Sequence, residues 1–298
     1  MDVLEKKIPL RLGANSDCFM AMDRSQGITL EMLRMLHHYE YPFLIVTRSE
    51  LVSNDEYLKY MDKNLVSIHL SIPSLDPELT KILEPHTPSP ETRLSTLKKL
   101  SDKGYWTTVR INPLFPIHPD GYYSNPEYAD THPPKLDFFS FDLIDAIKEN
   151  GCKSILVGLV NLEGDFLEKV SARMNFDLKK MLAPGVWERT GKFAYSKEEI
   201  RAYFEQIKSR CHKHEMHFTT CYLGQGEPAY FEHQDLWDNK GDCCNVKDRI
   251  PGHVIDSKAI DSKRRFDYNH ENQNPFIRLL TKACFGLIRF IHGKTAKN

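Results

Sequence analysis

VSIHLSIPSLDPELTKILEPHTPSPETRLSTLKKLSDKGYWTTVRINPLF, residues 66–115, holds two apolar runs separated by a proline-rich turn and an amphipathic helix pattern. Short apolar runs rich in β-branched residues are typical of buried strands. Ser89 precedes Pro90 as a capping residue precedes a proline in a first helical turn, and Gly104 follows where the helix should end. The stretch therefore predicts a strand, a helix and a second strand.

The same alternation extends to both sides of this stretch. Six strands are predicted, at Ile8–Leu12, Phe43–Thr47, Leu65–Ile72, Trp106–Ile111, Ser154–Val160 and His217–Tyr222. Helix patterns with an apolar stripe fall between them at Thr29–Tyr39, Pro90–Lys103 and Phe139–Asn150. Strands joined by right-handed crossovers form a parallel sheet, either open or closed into a barrel, with the working site at the carboxyl ends of the strands.

The composition sets limits on the class of protein. The 298 residues contain 40 basic and 41 acidic side chains, so the net charge does not favour nucleic acid or membrane surfaces. The amino terminus lacks the apolar segment of a signal peptide, and no run of about 18 apolar residues predicts a membrane span. Seven cysteines, an odd number, are typical of a reducing compartment. We expect a cytoplasmic protein that does not enter a membrane.

Several strand-end segments share a pattern with a known family. They are RLGANSDCF (residues 11–19), TRS (47–49), LSIPS (70–74), LEPHTPSPETRL (83–94) and KGYWTTVRINPLFP (103–116). Residues 8–165 on this basis resemble the radical S-adenosylmethionine enzymes, and more narrowly the spore photoproduct lyase branch. The resemblance implies an α/β fold with a partial parallel (β/α) barrel that lacks its first strand over residues 1–222. An irregular, cysteine-containing segment with a terminal helix near 276–291 is expected over 223–298.

The resemblance also implies S-adenosylmethionine as a small-molecule cosubstrate and 5′-deoxyadenosyl radical chemistry on a substrate that it does not specify. Carried over by position, Ser16, Asp17, Arg48 and Ser71 are candidates to bind the cosubstrate. The guanidinium of Arg48 suits a carboxylate, whereas an ordinary strand-end arginine is solvated and a buried serine satisfies a backbone group. Cys18, in the same loop, is a candidate thiol hydrogen donor, with an inert thiol as the alternative.

One acidic and one basic side chain of the opening stretch are predicted to have a structural role. Glu84 and Arg93 lie on either side of the proline-rich turn, and we predict that they form an ion pair that fixes the start of the helix.

The CxxxCxxC motif, which holds the family's four-iron four-sulfur cluster, is absent from this sequence. Thiolates are the ligands that such a cluster requires. We therefore expect the cluster to come from an upstream segment or a separate chain, or the chemistry to have been lost.

Three other cysteines form a separate candidate site. Cys221 ends a predicted strand, and Cys243 and Cys244 lie in a nearby segment with few apolar residues. Together with His217, His233 or His253 they are candidate ligands for zinc or an auxiliary iron–sulfur cluster. The spacing matches no established motif, so unligated thiols are the alternative.

Other classes of function stay open at this point. A metal-dependent barrel hydrolase would use histidines near strand ends, for which His69 and His118 are the candidates. A DNA-interaction module without catalysis would bind nucleic acid through a basic patch such as 263–265, which lies near two aromatic residues. A decayed fragment without activity is the third alternative.

Overall fold

The computed structural model describes only part of the chain. The described residues are 7–13, 16–115, 138–160, 162–175, 187–189, 192–194, 197–221, 233–239, 242–246 and 249–251. All of them fall within a compact unit, Met1–Asp256. The predicted terminal helix, the basic patch at 263–265, His118 and His253 lie outside the described residues.

Six of the described strands form one sheet in which every neighbouring pair is parallel. In their order across the sheet they are β1 (Leu10–Leu12), β2 (Phe43–Thr47), β3 (Val66–Ser71), β4 (Trp106–Leu114), β5 (Ser154–Leu159) and β9 (His217–Thr220). No described strand pairs β1 with β9, so within the described residues the sheet is open. The predicted strands and the partial parallel barrel are confirmed.

Helices lie between the strands along the chain, and most of them contribute residues to one apolar core. They are α1 (Asp23–Gln26), α2 (Ile28–His38), α3 (Asp55–Leu58), α4 (Pro77–Leu83), α5 (Pro90–Asp102), α6 (Asp142–Glu149), α7 (Gly164–Met174) and α8 (Lys197–Lys213). The Ser89 hydroxyl accepts a hydrogen bond from the Thr92 N–H, as the predicted cap of α5 requires. Gly104 and Gly151 follow α5 and α6 with φ of 82° and 83°, where a side chain would be strained.

The described residues also contain a small antiparallel sheet that the sequence did not predict. Its strands are β6 (Leu162–Glu163), β7 (Trp187–Arg189) and β8 (Lys192–Ala194), with β8 in the middle. No helix among the described residues has the length and apolar character needed to cross a membrane.

The large sheet has two chemically different faces, which we call the outer face and the inner face. On β3, Val66, Ile68 and Leu70 belong to the main apolar core, which also contains Leu33 of α2 and Leu97 of α5. Because side chains alternate along a strand, the residues between them lie on the opposite, inner face. On β3 these inner-face residues are polar, namely Ser67, His69 and Ser71.

The described parts of the region after β9 pack against the sheet, although only a short 3₁₀ turn, Gln234–Leu236, is regular. The Asn245 side chain donates a hydrogen bond to the Ser154 hydroxyl at 2.7 Å. The Trp106 indole N–H donates to the Asn245 carbonyl at 3.2 Å. Val246 and Ile250 are buried with Leu44. The described parts of this region are irregular apart from that turn, and apolar contacts help to hold them.

Candidate functional site

The loop after β1 is joined to the end of β2 through the carboxylate of Asp17. One oxygen of this carboxylate accepts hydrogen bonds from the Thr47 hydroxyl at 2.7 Å and the Phe19 N–H at 2.9 Å. The other oxygen accepts from the Arg48 N–H at 2.7 Å. Asp17 therefore positions the backbone from which the Arg48 side chain extends.

A chain of charges continues from Arg48 into the turn after α4. The Arg48 Nε donates to one carboxylate oxygen of Glu84, and the Arg93 Nη1 donates to the other at 2.6 Å. Arg93 is only 1% exposed, and it also donates to the Ser71 carbonyl and the Pro88 carbonyl, each at 2.9 Å. The predicted pair of Glu84 and Arg93 is confirmed, and it fixes the end of β3 against the start of α5.

Arg48 differs from Arg93 in exposure. Its side chain is 38% exposed, and only its Nε hydrogen-bonds to a described residue. The terminal nitrogens of Arg48 therefore have the position and the charge to donate to an anionic group at the carboxyl edge of the sheet.

The other predicted residues of this edge are placed differently. Ser71 ends β3 and is buried, whereas Ser16 is exposed before the Asp17 loop. Cys18, in the loop after β1, is half-buried and packs against the apolar core. Burial, with the nearby Asp17 carboxylate, raises the pKa of the Cys18 thiol to about 12. The thiol therefore stays protonated near neutral pH, which is the form that carries a hydrogen atom.

The inner face beside this edge contains a buried arginine. Arg110 of β4 lies opposite Ser71 in the register of the sheet and is 5% exposed. Its Nη2 donates to the Cys221 sulfur at 3.1 Å, and its Nη1 has no hydrogen-bond partner in the described part of the chain. Burial, together with the charge of Arg110, lowers the pKa of His69 well below its usual range. His69 is therefore a neutral imidazole.

The three candidate metal-binding cysteines are only partly brought together. The sulfurs of Cys243 and Cys244 are 3.7 Å apart. Their contact lowers the pKa of Cys244 to about 7 and raises the pKa of Cys243. The Cys221 sulfur accepts a hydrogen bond from Arg110, and its charge also contributes to the raised pKa of Cys243. No group of three or more His, Cys, Asp or Glu side chains is placed to hold a metal ion within the residues that the structure describes. A metal site at these thiols stays a prediction.

Sequence reasoning missed Arg110 as a site residue. The signal was present in VSIHLS and TTVRI, where polar residues alternate with apolar ones at every second position. We interpreted both runs only as buried strands, whereas this alternation is typical of a strand with one polar face.

Comparisons with known proteins were made for the sequence and for the structure. No family model matches the sequence. The uncharacterized protein ORF301 of Acidianus two-tailed virus is 39% identical over 74 residues, which are 25% of this chain and 25% of that protein.

Solved structures match over a longer part of the chain. A spore photoproduct lyase variant with bound AdoMet and dinucleoside spore photoproduct superposes with a TM-score of 0.50 and 17% identity over 72% of this chain. A second variant of the same enzyme gives 0.52 and 16% identity over 74% of this chain. The fold is that of spore photoproduct lyase. The chain spans 62–63% of the length of these spore photoproduct lyase structures.

The residues present differ in how well they fit the two groups that a radical S-adenosylmethionine fold implies. For S-adenosylmethionine, the exposed guanidinium of Arg48 and the hydroxyl of Ser71 offer donors at neighbouring strand ends. For the iron–sulfur cluster, the sequence has no CxxxCxxC motif, and the described thiols do not converge on a metal position. The chain therefore fits the cosubstrate and does not by itself fit the cluster.

Proposed function

We propose that this protein is a radical S-adenosylmethionine enzyme of the spore photoproduct lyase type, with a cluster supplied from outside the present sequence. The observation that supports this most is the arrangement of β1, β2 and β3, which end together in a spore photoproduct lyase fold and bring Asp17, Arg48 and Ser71 to one edge. S-adenosylmethionine would supply hydrogen-abstraction chemistry when it is bound beside a reduced cluster that donates the electron for its cleavage.

In this proposal each residue at the sheet edge has a separate task. Arg48 binds the carboxylate of the cosubstrate through its terminal nitrogens, while Glu84 holds the other side of the guanidinium. Asp17 keeps the loop and the Arg48 backbone in place. Ser71 donates its hydroxyl to a polar group of the same ligand. The protonated thiol of Cys18 is the proposed hydrogen donor, and Ser16 is a further contact.

The substrate and the thiol site are finer parts of the proposal. The matched lyase structure contains a dinucleoside photoproduct, which supports a nucleic-acid substrate for this chain as well. Zinc or an auxiliary cluster at Cys221, Cys243 and Cys244 is supported by the 3.7 Å contact within the pair. Metal analysis of anaerobically purified Cys243→Ala and wild-type protein tests that site, because only the wild type would retain bound metal.

Binding of S-adenosylmethionine to the full chain tests the central proposal. We expect saturable binding in equilibrium dialysis, weakened roughly tenfold by Arg48→Met because a charge-assisted hydrogen bond is lost. Arg24→Met is the matched control, since Arg24 is an exposed arginine that pairs with Glu50. Absence of binding by the wild type, or equal binding by both variants, would contradict the proposal.

A further inference from the structure

The inner face of the sheet contains buried polar side chains whose hydrogen-bonding capacity is not used by the described residues. They are Ser67, Thr108, Arg110 through its Nη1, and Thr219, together with His69, whose ring also faces the backbone of Cys244. Their exposed fractions are 0%, except for Arg110 at 5%. A buried polar group without a partner carries a desolvation cost, and such groups are rare in folded proteins. A cluster of them indicates a missing partner.

Four of these side chains lie on three of the four consecutive strands β3, β4, β5 and β9. His69 of β3 lies opposite Thr108 of β4. Arg110 lies opposite Leu156 of β5, and Leu156 lies opposite Thr219 of β9. These residues share the inner face, because the residues that alternate with them, including Ile68, Val109, Ile155 and Phe218, belong to the core on the outer face.

The positive charge of Arg110 increases the free-energy cost of leaving this group without a partner. Arg110 forms no ion pair with a carboxylate among the described residues, and the Cys221 sulfur is the one described side chain to which it donates. A buried guanidinium whose charge is only partly countered is disfavoured, and the Cys244 thiol, whose pKa Arg110 helps to lower to about 7, is a described group that counters it in part. Asp242 is the acidic side chain whose charge acts on His69, but its carboxylate accepts the N–H groups of Cys244 and Val246 at 2.9 and 2.6 Å.

Each of the four side chains can donate a hydrogen bond. Arg110 offers an N–H of Nη1, the two threonines each offer an O–H, and the imidazole of His69 offers an N–H. A group with several acceptor oxygens and a negative charge satisfies these donors together, because charge-assisted hydrogen bonds to a guanidinium are strong.

The position of the group points toward the reaction site. Arg110 lies beside Ser71, which ends β3 at the edge that also contains Arg48. Above it in the sheet, Gly158 leaves room for the side chain of Asn112, since a Cβ at Gly158 would lie 2.6 Å from the Asn112 Nδ2. Asn112 and Cys221 are partly exposed, so the group lies just inside an accessible rim.

We propose that His69, Thr108, Arg110 and Thr219 form a binding site for an oxyanion group, a carboxylate or a phosphate, that belongs to the substrate. The assignment to a substrate rests on the proposed function. The binding of an oxyanion does not, because it requires neither the cosubstrate nor the cluster.

Thermal unfolding of the full chain in inorganic phosphate, in acetate and in chloride at equal ionic strength tests this site. We expect a saturable rise in Tm with phosphate or with acetate that chloride does not produce. A response to phosphate alone indicates a phosphate-bearing substrate, and a response to acetate alone indicates a carboxylate. A Tm that neither anion raises above the chloride value would overturn the proposal and indicate that water satisfies the donors.

Substitutions locate the response. Arg110→Met should weaken the apparent affinity at least tenfold, and Thr219→Val, which keeps the side-chain shape, by roughly threefold to tenfold. Arg34→Met, at an exposed arginine of α2, should respond like the wild type. If Arg110→Met does not fold and therefore shows no cooperative unfolding, the anion responses of Thr219→Val and Thr108→Val test the site in its place. Anion responses equal to the wild type in these variants would overturn the proposal.

Binding of S-adenosylmethionine, measured on the same preparations, separates this inference from the proposed function. Loss of the phosphate response in Arg110→Met with unchanged cosubstrate binding supports both. A phosphate response that depends on Arg110 in a protein that does not bind the cosubstrate supports the oxyanion site and contradicts the proposed function. Cosubstrate binding without any anion response contradicts the oxyanion site alone.

Discussion

Two arginines are buried to nearly the same extent in this protein, and their surroundings differ. Arg93 is 1% exposed and donates to the Glu84 carboxylate, to two backbone carbonyls and to the Thr87 hydroxyl. Arg110 is 5% exposed and donates to the sulfur of Cys221, and within the described chain it has neither a carboxylate nor a carbonyl partner.

The difference separates a structural arginine from an arginine prepared for a ligand. The first has its charge and its donors satisfied by the chain itself, so it connects β3, the following turn and α5. The second retains unsatisfied donors at the inner face, where its desolvation is not compensated by the chain. Burial alone therefore does not distinguish the two roles, whereas the set of partners does.

The largest expected effect concerns the satisfied arginine. Glu84→Gln removes the counter-charge of Arg93 and should lower the free energy of unfolding by about 3–5 kcal/mol, because a buried charge is left without its partner. Urea denaturation measures the change. Glu31→Gln, in an exposed pair with Arg34, is the control and should have no measurable effect. Equal stability of the two variants would contradict the interpretation of Arg93 as a structural arginine that depends on Glu84.

Much of the fold could be predicted from the sequence because its signals are local. The strands, the Ser89 cap, the glycines after α5 and α6, and the pair of Glu84 and Arg93 all depend on residues that are near one another in the chain. The small antiparallel sheet was not predicted, because its strands are only two or three residues long.

The environment of the inner face was harder to predict from the sequence, for a physical reason. The segment that covers this face is held by contacts such as that between Trp106 and Asn245, which are 139 residues apart. No local pattern reports such a contact. Of the predicted site residues, the structure places Asp17, Arg48 and Ser71 at one edge, whereas their roles toward a cosubstrate and the metal site at Cys221, Cys243 and Cys244 stay predictions.

A second test uses pH at His69. Because the folded-state pKa of His69 lies below the unfolded value of about 6.5, the unfolded state takes up a proton first as the pH falls. The contribution of His69 to the free energy of unfolding is therefore fully present above about pH 6.5. Below that pH it decreases, by up to about 1.4 kcal/mol per pH unit. We therefore expect the free energy of unfolding to fall as the pH is lowered from 6.5 to 5.

The His69→Leu variant isolates this contribution. Urea denaturation at a series of pH values should show a weaker loss of stability below pH 6.5 in His69→Leu than in the wild type, since the variant lacks the titrating group. Parallel pH profiles would show that His69 is protonated in the folded protein and that the inner face tolerates a second positive charge beside Arg110.

A smaller effect is expected at the segment that covers the inner face. Asn245→Ala removes the hydrogen bond to Ser154 and should lower the free energy of unfolding by about 1–2 kcal/mol. A double-mutant cycle with Ser154→Ala measures the coupling of the two side chains. A coupling energy near zero would mean that the segment is held by Val246 and Ile250 rather than by this contact.

The smallest expected effect concerns the unsatisfied arginine. Arg110→Met should change the free energy of unfolding by less than about 1 kcal/mol or raise it, because it removes a buried charge that has no carboxylate partner in the described chain. Urea denaturation in a buffer without phosphate or carboxylate measures it. A loss as large as that in Glu84→Gln would identify Arg110 as a structural residue and end the comparison.

The hydrogen bonds of Asn245 also bear on how the chain acquires its structure. The six parallel strands pair in the order of synthesis, so each new strand adds to an edge that already exists. Trp106, at the start of β4, acquires its indole partner only when residue 245 has been made. Contacts of such separation are slow to form. The inner face is therefore among the last parts of the sheet to be covered as the chain is synthesised.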